Sequence, residues 1–297
     1  MSSLYPVNID VSPEQLKRLT MLFKRSYKRI VGEINTATDF GVSRRKAILR
    51  QIDVILEGLG VDVQDFVDKE LPAYYKRGAR DAVKQLKNVK ASIPIETGFS
   101  QLHREAIVAL VDDTVRAYAE SITGVKRSAN LLLGKMTRNL LTEEIAHGVV
   151  TGEALRKVRQ NIKGILQEQG LSALVDKGGK RWQLDNYAEM LFRTKVVEAR
   201  NMGLVNRMVE NNYDLVQVSD HIGECPLCRP WEGKILSTTG ATKGYPTLQE
   251  ATDTGLFHPN CRHAINTVVP SLARKTKAYD PEKGALIRKP GESLKRK

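Results

Sequence analysis

Three cysteines and two histidines crowd into residues 225–263, and the chain has no other cysteine. Cys225-Pro-Leu-Cys228 is a C-x2-C knuckle. After 29 intervening residues comes His258-Pro-Asn-Cys261-Arg-His263. Two thiolates three positions apart can hold one ion from a tight turn, and a second pair of donors closes a tetrahedron. Zinc suits such a set of three sulfurs and one nitrogen because it is borderline-soft and redox-inert. Cys225, Cys228, His258 and Cys261 form the preferred ligand set, since C-x2-C then answers H-x2-C. His263 is the alternative fourth ligand; its C-x-H spacing needs a strand to splay the two side chains. Four protein donors leave no position for water, so the ion implied is structural Zn2+. The competing reading is three ordinary buried thiols.

Catalytic readings of the same residues are weaker. A zinc deaminase needs H-x-E well upstream of its cysteines, whereas His221 and Glu224 stand three apart and abut Cys225. A treble-clef nuclease needs a further upstream histidine and ligands that cannot be assigned. A Cys–His nucleophile built on Cys261 competes with that residue's use as a ligand. Lys180 follows two glycines, yet no G-x4-G-K-[ST] phosphate loop is present. No catalytic residue and no organic cofactor are assigned.

The elements that must position the cysteines are legible in the periodicity. After Asn211 the texture changes from helical to mixed. Asp214–Ser219 alternates at period two, and residues 233–239 and 262–269 are two further short strand candidates. Residues 186–211 read as a long helix immediately before them. Upstream, Ser12-Pro13-Glu14-Gln15 carries a cap, a first-turn proline and a capping box. Leu16, Leu19, Phe23, Tyr27, Ile30 and Ile34 then share one helix face, with Lys17, Lys24, Arg25 and Lys28 mostly on the other. Further helices are expected over residues 43–58 (ended by Gly58 and Gly60), 63–88 (kinked or broken at Pro72), 102–122, 130–147 and 153–169. Residues 91–98 read as a linker and 176–180 as a turn.

The fold class expected is therefore mostly α: a long helical N-terminal body followed by a small α+β zinc-binding module. Four segments are drawn from this: a helical region at 1–90, a central helical region at 91–177, the metal module at 178–270 and a basic disordered tail at 271–297. At 297 residues the chain can bury a real core. No window is apolar enough to span a membrane, and the first residues lack the apolar core of a signal peptide. The formal charge of +13 favours a polyanion as neighbour. The tail carries nine Lys/Arg against three Asp/Glu. Its candidate DNA-binding residues are Arg274, Lys275, Lys277, Arg288, Lys289, Lys295, Arg296 and Lys297, read as contacting phosphates without sequence preference. Pro281, Gly284, Pro290 and Gly291 discourage helix and strand there.

Several stretches carry a resemblance: Gly179-Lys-Arg-Trp182, Tyr187-Ala-Glu-Met190, Arg193-Thr194, Val218-Ser-Asp-His221, Cys225 to Lys234, and Gly255 to His263. Together they resemble the minor head proteins of tailed phages, the Mu F-like head morphogenesis proteins and related phage minor capsid proteins. The resemblance covers about residues 178–270. It implies a portal-associated structural component of a phage or prophage head, acting in procapsid assembly and in DNA packaging or delivery. The partners implied are the portal protein, capsid or scaffold proteins and double-stranded DNA, with no membrane; the location is the head interior, and the host cytoplasm during assembly. Many relatives have a cysteine where His263 stands, which keeps that residue in play as a ligand. Arg193 and Thr194 read as a hydrogen-bonding pair that docks the long helix on the metal module, and Trp231 as a core anchor beside the knuckle. The runner-up function is a phage-encoded zinc-dependent nuclease or other DNA-processing enzyme.

Overall fold

A computed structural model of the chain describes residues 11–36, 42–89, 94–147, 160, 172–175, 181–220, 226–269, 279–280 and 285–286. Three helices open it: α1 (Pro13–Asn35), α2 (Val42–Val89) and α3 (Gln101–His147). A short antiparallel pair, β1 (Ser172–Val175) and β2 (Arg181–Gln183), leads directly into α4 (Leu184–Glu210). Then come β3 (Leu215–Val218), a 3-10 turn at Arg229–Trp231, β4 (Ile235–Ser237), α5 (Leu248–Asp253) and β5 (Ile265–Thr267). The two-residue strands β6 (Tyr279–Asp280) and β7 (Ala285–Leu286) pair antiparallel. These two short strands form although the tail's prolines and glycines discourage strand.

The start of α1 follows the sequence reading. The Ser12 hydroxyl accepts from the Glu14 N–H, and the Gln15 side chain accepts from the Ser12 N–H. The next helices do not. Gly58 and Gly60 fail to end α2, which also runs through Pro72, and residues 101–147 form one helix instead of two. Each glycine costs roughly 1 kcal/mol and proline about 3 in a helix interior. Burial outweighs that: Ile52, Leu59, Val63, Val67, Leu71 and Tyr75 are all essentially inaccessible along α2. The helix expected at 153–169 falls outside the described residues apart from Gln160, as does the turn at 176–180.

The chain divides into two compact units, each assembled from separated segments. The first comprises Ser12–Asp68 and Asp112–Met190. Within it Phe23 of α1 meets Tyr118 of α3, ring centres 5.8 Å apart, and the buried Tyr118 hydroxyl donates to the Ala188 carbonyl at 3.0 Å. The second unit comprises Lys69–Val111 and the chain from Leu191, with Val11. Residues 94–98, the described part of the stretch 91–98 read as a linker, lie inside it. There the Arg207 guanidinium donates to the carbonyls of Glu96 at 3.1 Å and Gly98 at 2.7 Å.

In the second unit α2 and α4 touch backbone to backbone. A Cβ on Gly78 would stand 1.9 Å from the Arg200 carbonyl oxygen, and one on Gly203 would stand 2.1 Å from that of Tyr75. Beside this crossing the Arg200 side chain is fully buried. It donates to the Ile265 carbonyl, and to Asp81 and Asn266 at 3.3 Å each, tying both helices to β5. The three-stranded antiparallel sheet has the order β4-β3-β5, with Gln217 opposite both Ile235 and Asn266. Its apolar face joins Leu204 and Met208 of α4, Ala251 of α5, Leu256 and two cysteines in one cluster.

Candidate metal centre

The cluster's two cysteines, Cys228 and Cys261, stand beside His263, and the ligand atoms of the three all lie within 4.8 Å of one another. Each sits on a different kind of support. Cys228 begins a tight turn, its carbonyl accepting from the Trp231 N–H at 2.9 Å. Behind it Leu227 lies against Gly255, where φ is +109° and a side chain would find Leu227 atoms at 3.2 Å. Cys261 closes a turn of its own: its N–H donates to the His258 carbonyl at 2.9 Å. Pro259 at the second position and Asn260 at the third, with φ of 63°, fit the type II pattern. The Thr194 hydroxyl of α4 accepts from the Asn260 N–H at 3.2 Å, so the turn is docked on the long helix through one member of the Arg193-Thr194 pair. His263 stands two residues ahead of β5.

Two of the distances are close to the edges of a tetrahedral donor set. The Cys228 and Cys261 sulfurs are 3.6 Å apart, and His263 Nδ1 is 3.3 Å from the Cys261 sulfur. A tetrahedral zinc with Zn–S near 2.3 Å and Zn–N near 2.0 Å has S···S and S···N edges of about 3.8 and 3.5 Å. No disulfide joins the described cysteines. The His263 N–H also donates to the Cys261 sulfur at 3.4 Å. On its far side His263 Nε2 donates to Oε1 of the fully buried Glu232 at 2.8 Å, which leaves Nδ1 for the sulfurs. A carboxylate behind the imidazole fixes its tautomer and aims it, as metal-binding histidines require.

Electrostatics point the same way. The Cys228 contact pulls the Cys261 thiol down to about 4; burial opposes this, and the His263 side chain and backbone add to it. For His263 burial favours the neutral ring, but contacts with Cys261 and Glu232 outweigh it and raise the group to about 9. The site therefore stabilises a thiolate beside a cation. A metal ion would occupy that cationic position, and the thiolate is the form that binds metal.

His258 is not part of this group. Its Nδ1 donates to the Pro259 carbonyl at 2.8 Å on the exposed side of the turn. It lines a cavity of about 390 Å³ with Thr194, Val197, Met202, Phe257 and Cys261. In H-P-N-C the two outer residues are the ends of a reverse turn, so the spacing that suggested a chelate is used to fold the loop. Cys225 and His221 lie outside the described residues, and so do all eight candidate DNA-binding residues of the tail. Trp231 is half-buried against the cluster, with the Lys234 ammonium 4.8 Å from its ring centre. Sequence reasoning missed Glu232; the signal available was a carboxylate following the tryptophan of the knuckle. It also missed Arg200 and Gly203, which carry no motif.

The same three groups, Cys261, His263 and Glu232, are connected as a thiol, base and carboxylate would be in a nucleophilic enzyme. Cys228 sits at contact distance on the sulfur that would have to attack. That arrangement serves a ligand better than a nucleophile.

Among known proteins, the profile of the family described as Phage minor capsid protein 2 matches residues 42–286. The match takes in most of the helical body as well as the cysteine-bearing module. A curated relative, a "Structural protein" of Lactococcus phage LL-H, is 24% identical over 120 residues. That alignment covers 37% of this chain and 32% of the relative, so the match spans about a third of the relative's length. No solved structure matches.

Proposed function

Because the chain belongs to the phage minor capsid protein 2 family, a family of structural proteins of the phage particle, we propose that it is a portal-associated component of the head. In this reading it acts in procapsid assembly and in DNA packaging or delivery, and it meets DNA through its basic tail. The observation that carries the reading is the family match over 42–286, which joins the helical body and the cysteine-bearing module in one unit of descent. Among the described residues no helix is long and apolar enough to cross a membrane.

The module is held, in the same proposal, by one structural zinc on Cys225, Cys228, Cys261 and His263. The support is three described donors within 4.8 Å of one another, the buried carboxylate behind the histidine, and the C-x2-C partner three residues before Cys228. His263 takes the place first given to His258. Zinc there cross-links the knuckle to the residues before β5 and supplies no reactive position, since four protein donors fill its shell. That favours a structural protein over a nuclease.

Co-expression with the portal protein of the same phage tests the assignment. The expected result is co-purification of the two and a density for this protein on portal rings imaged by electron microscopy. Portal rings that never retain it, while portal and capsid assemble normally without it, would reject the portal association.

A further inference from the structure

Helix α1 carries Lys17, Arg18, Lys24, Arg25, Lys28 and Arg29, all exposed. No acidic residue lies in the helix between Glu14 and Glu33. At 3.6 residues per turn the six cations fall within an arc of about 140°, in two rows: 17, 24, 28 and 18, 25, 29. The opposite side is Leu16, Leu19, Phe23, Ser26, Ile30 and Ile34, all buried. Arg25, Lys28 and Arg29 have no acidic partner among the described residues. Lys24 makes only a surface pair with Asp185, at 3.6 Å, and the Arg18 guanidinium lies 5.8 Å from the Phe66 ring centre.

We infer that this face is a second contact for duplex DNA, separate from the tail and read through phosphates alone. The inference rests on the proposal that the protein meets DNA in the head. From Lys17 to Arg29 the helix rises about 18 Å. Duplex DNA carries about one charge per 1.7 Å of axis, so on the order of ten phosphate charges lie opposite the two rows. The cations sit on an ordered helix, so binding orders side chains only and spares the backbone entropy that a disordered segment would lose. An anionic membrane is the weaker partner for the same charges. Helices that lie in a bilayer interface insert an apolar face, and here Leu19, Phe23 and Ile30 are fully buried within the protein.

The test uses the full-length protein and a duplex of random sequence, with affinity followed by fluorescence anisotropy across a salt series. One variant carries Lys17→Gln, Arg25→Gln, Lys28→Gln and Arg29→Gln; a second neutralises the eight candidate DNA-binding cations of the tail; a third carries Arg25→Lys and Arg29→Lys. Helical circular dichroism is recorded for each. The first variant is expected to lose at least about tenfold in affinity, with a log–log salt slope shallower by about 3–4. The third should bind as the unaltered protein does, which separates charge from a fold defect. A first variant with unchanged affinity and slope, beside a tail variant that has lost both, overturns the α1 contact and leaves the DNA reading standing. If the unaltered protein shows no salt-dependent duplex binding, the DNA reading fails and the α1 contact with it. Binding to phosphatidylserine vesicles in place of duplex overturns it too.

Discussion

Chelation of the metal, or Cys228→Ser, is expected to melt the β3–β5 module while helical signal from Ser12–Asp68 and Asp112–Met190 persists. The purified chain should hold about one zinc. Structural zinc contributes on the order of 10–16 kcal/mol in small fingers. This module has a sheet and an apolar cluster of its own, so its loss should be smaller. Even a third of that range is comparable with a domain's whole stability of about 5–15 kcal/mol. His263→Ala should lose the ion, because it removes the Nδ1 donor and strands the buried Glu232 carboxylate. His258→Ala should keep it, because that ring faces the Pro259 carbonyl. Elemental analysis of the three variants, with cobalt substitution reporting thiolate ligation, decides the matter. A reduced, folded, metal-free protein would refute the site, and zinc lost from His258→Ala but kept by His263→Ala would refute the ligand set.

The second large effect concerns glycine. Gly78→Ala and Gly203→Ala each place a methyl within about 2 Å of a facing helix carbonyl, and backbone cannot step aside as a side chain can. Overpacking ordinarily costs about 1–3 kcal/mol; with two helices forced apart over a buried arginine, these changes should exceed it. Gly58→Ala and Gly60→Ala are the controls. Both lie mid-helix with no atom within 4 Å of the added methyl, and each should stabilise by about 0.5–1 kcal/mol. Urea melts read all four. Gly78→Ala as stable as the unaltered protein would show that α2 and α4 do not cross where they are drawn.

These glycines mark what the sequence withholds. A helix-start signal such as Ser12 with Gln15 is local chemistry, and it is satisfied locally. The alternation of residues 214–219 likewise led to β3, and the strand candidates at 233–239 and 262–269 contain β4 and β5. Propensity favours a helix end at Gly58 and Gly60 and a kink or break at Pro72, but the burial along α2 that keeps the helix continuous depends on partners far along the chain. The proposed metal site divides the same way. Cysteine spacing pointed to the cluster, yet the proposal of His263 over His258 draws on the turn at Pro259-Asn260 and on the carboxylate of Glu232, 31 residues before His263. The family match reaches upstream of the resemblance in residues 178–270, to residue 42.

The central claim is that this chain is a minor structural protein of the phage head. Quantitative mass spectrometry of purified, DNA-filled particles, with the major capsid protein as internal standard, tests it most directly. The account predicts the protein in every preparation, at a few copies per head, and retained after tails are removed. Its absence from particles that package DNA normally, while it is abundant in the lysate, would contradict the account.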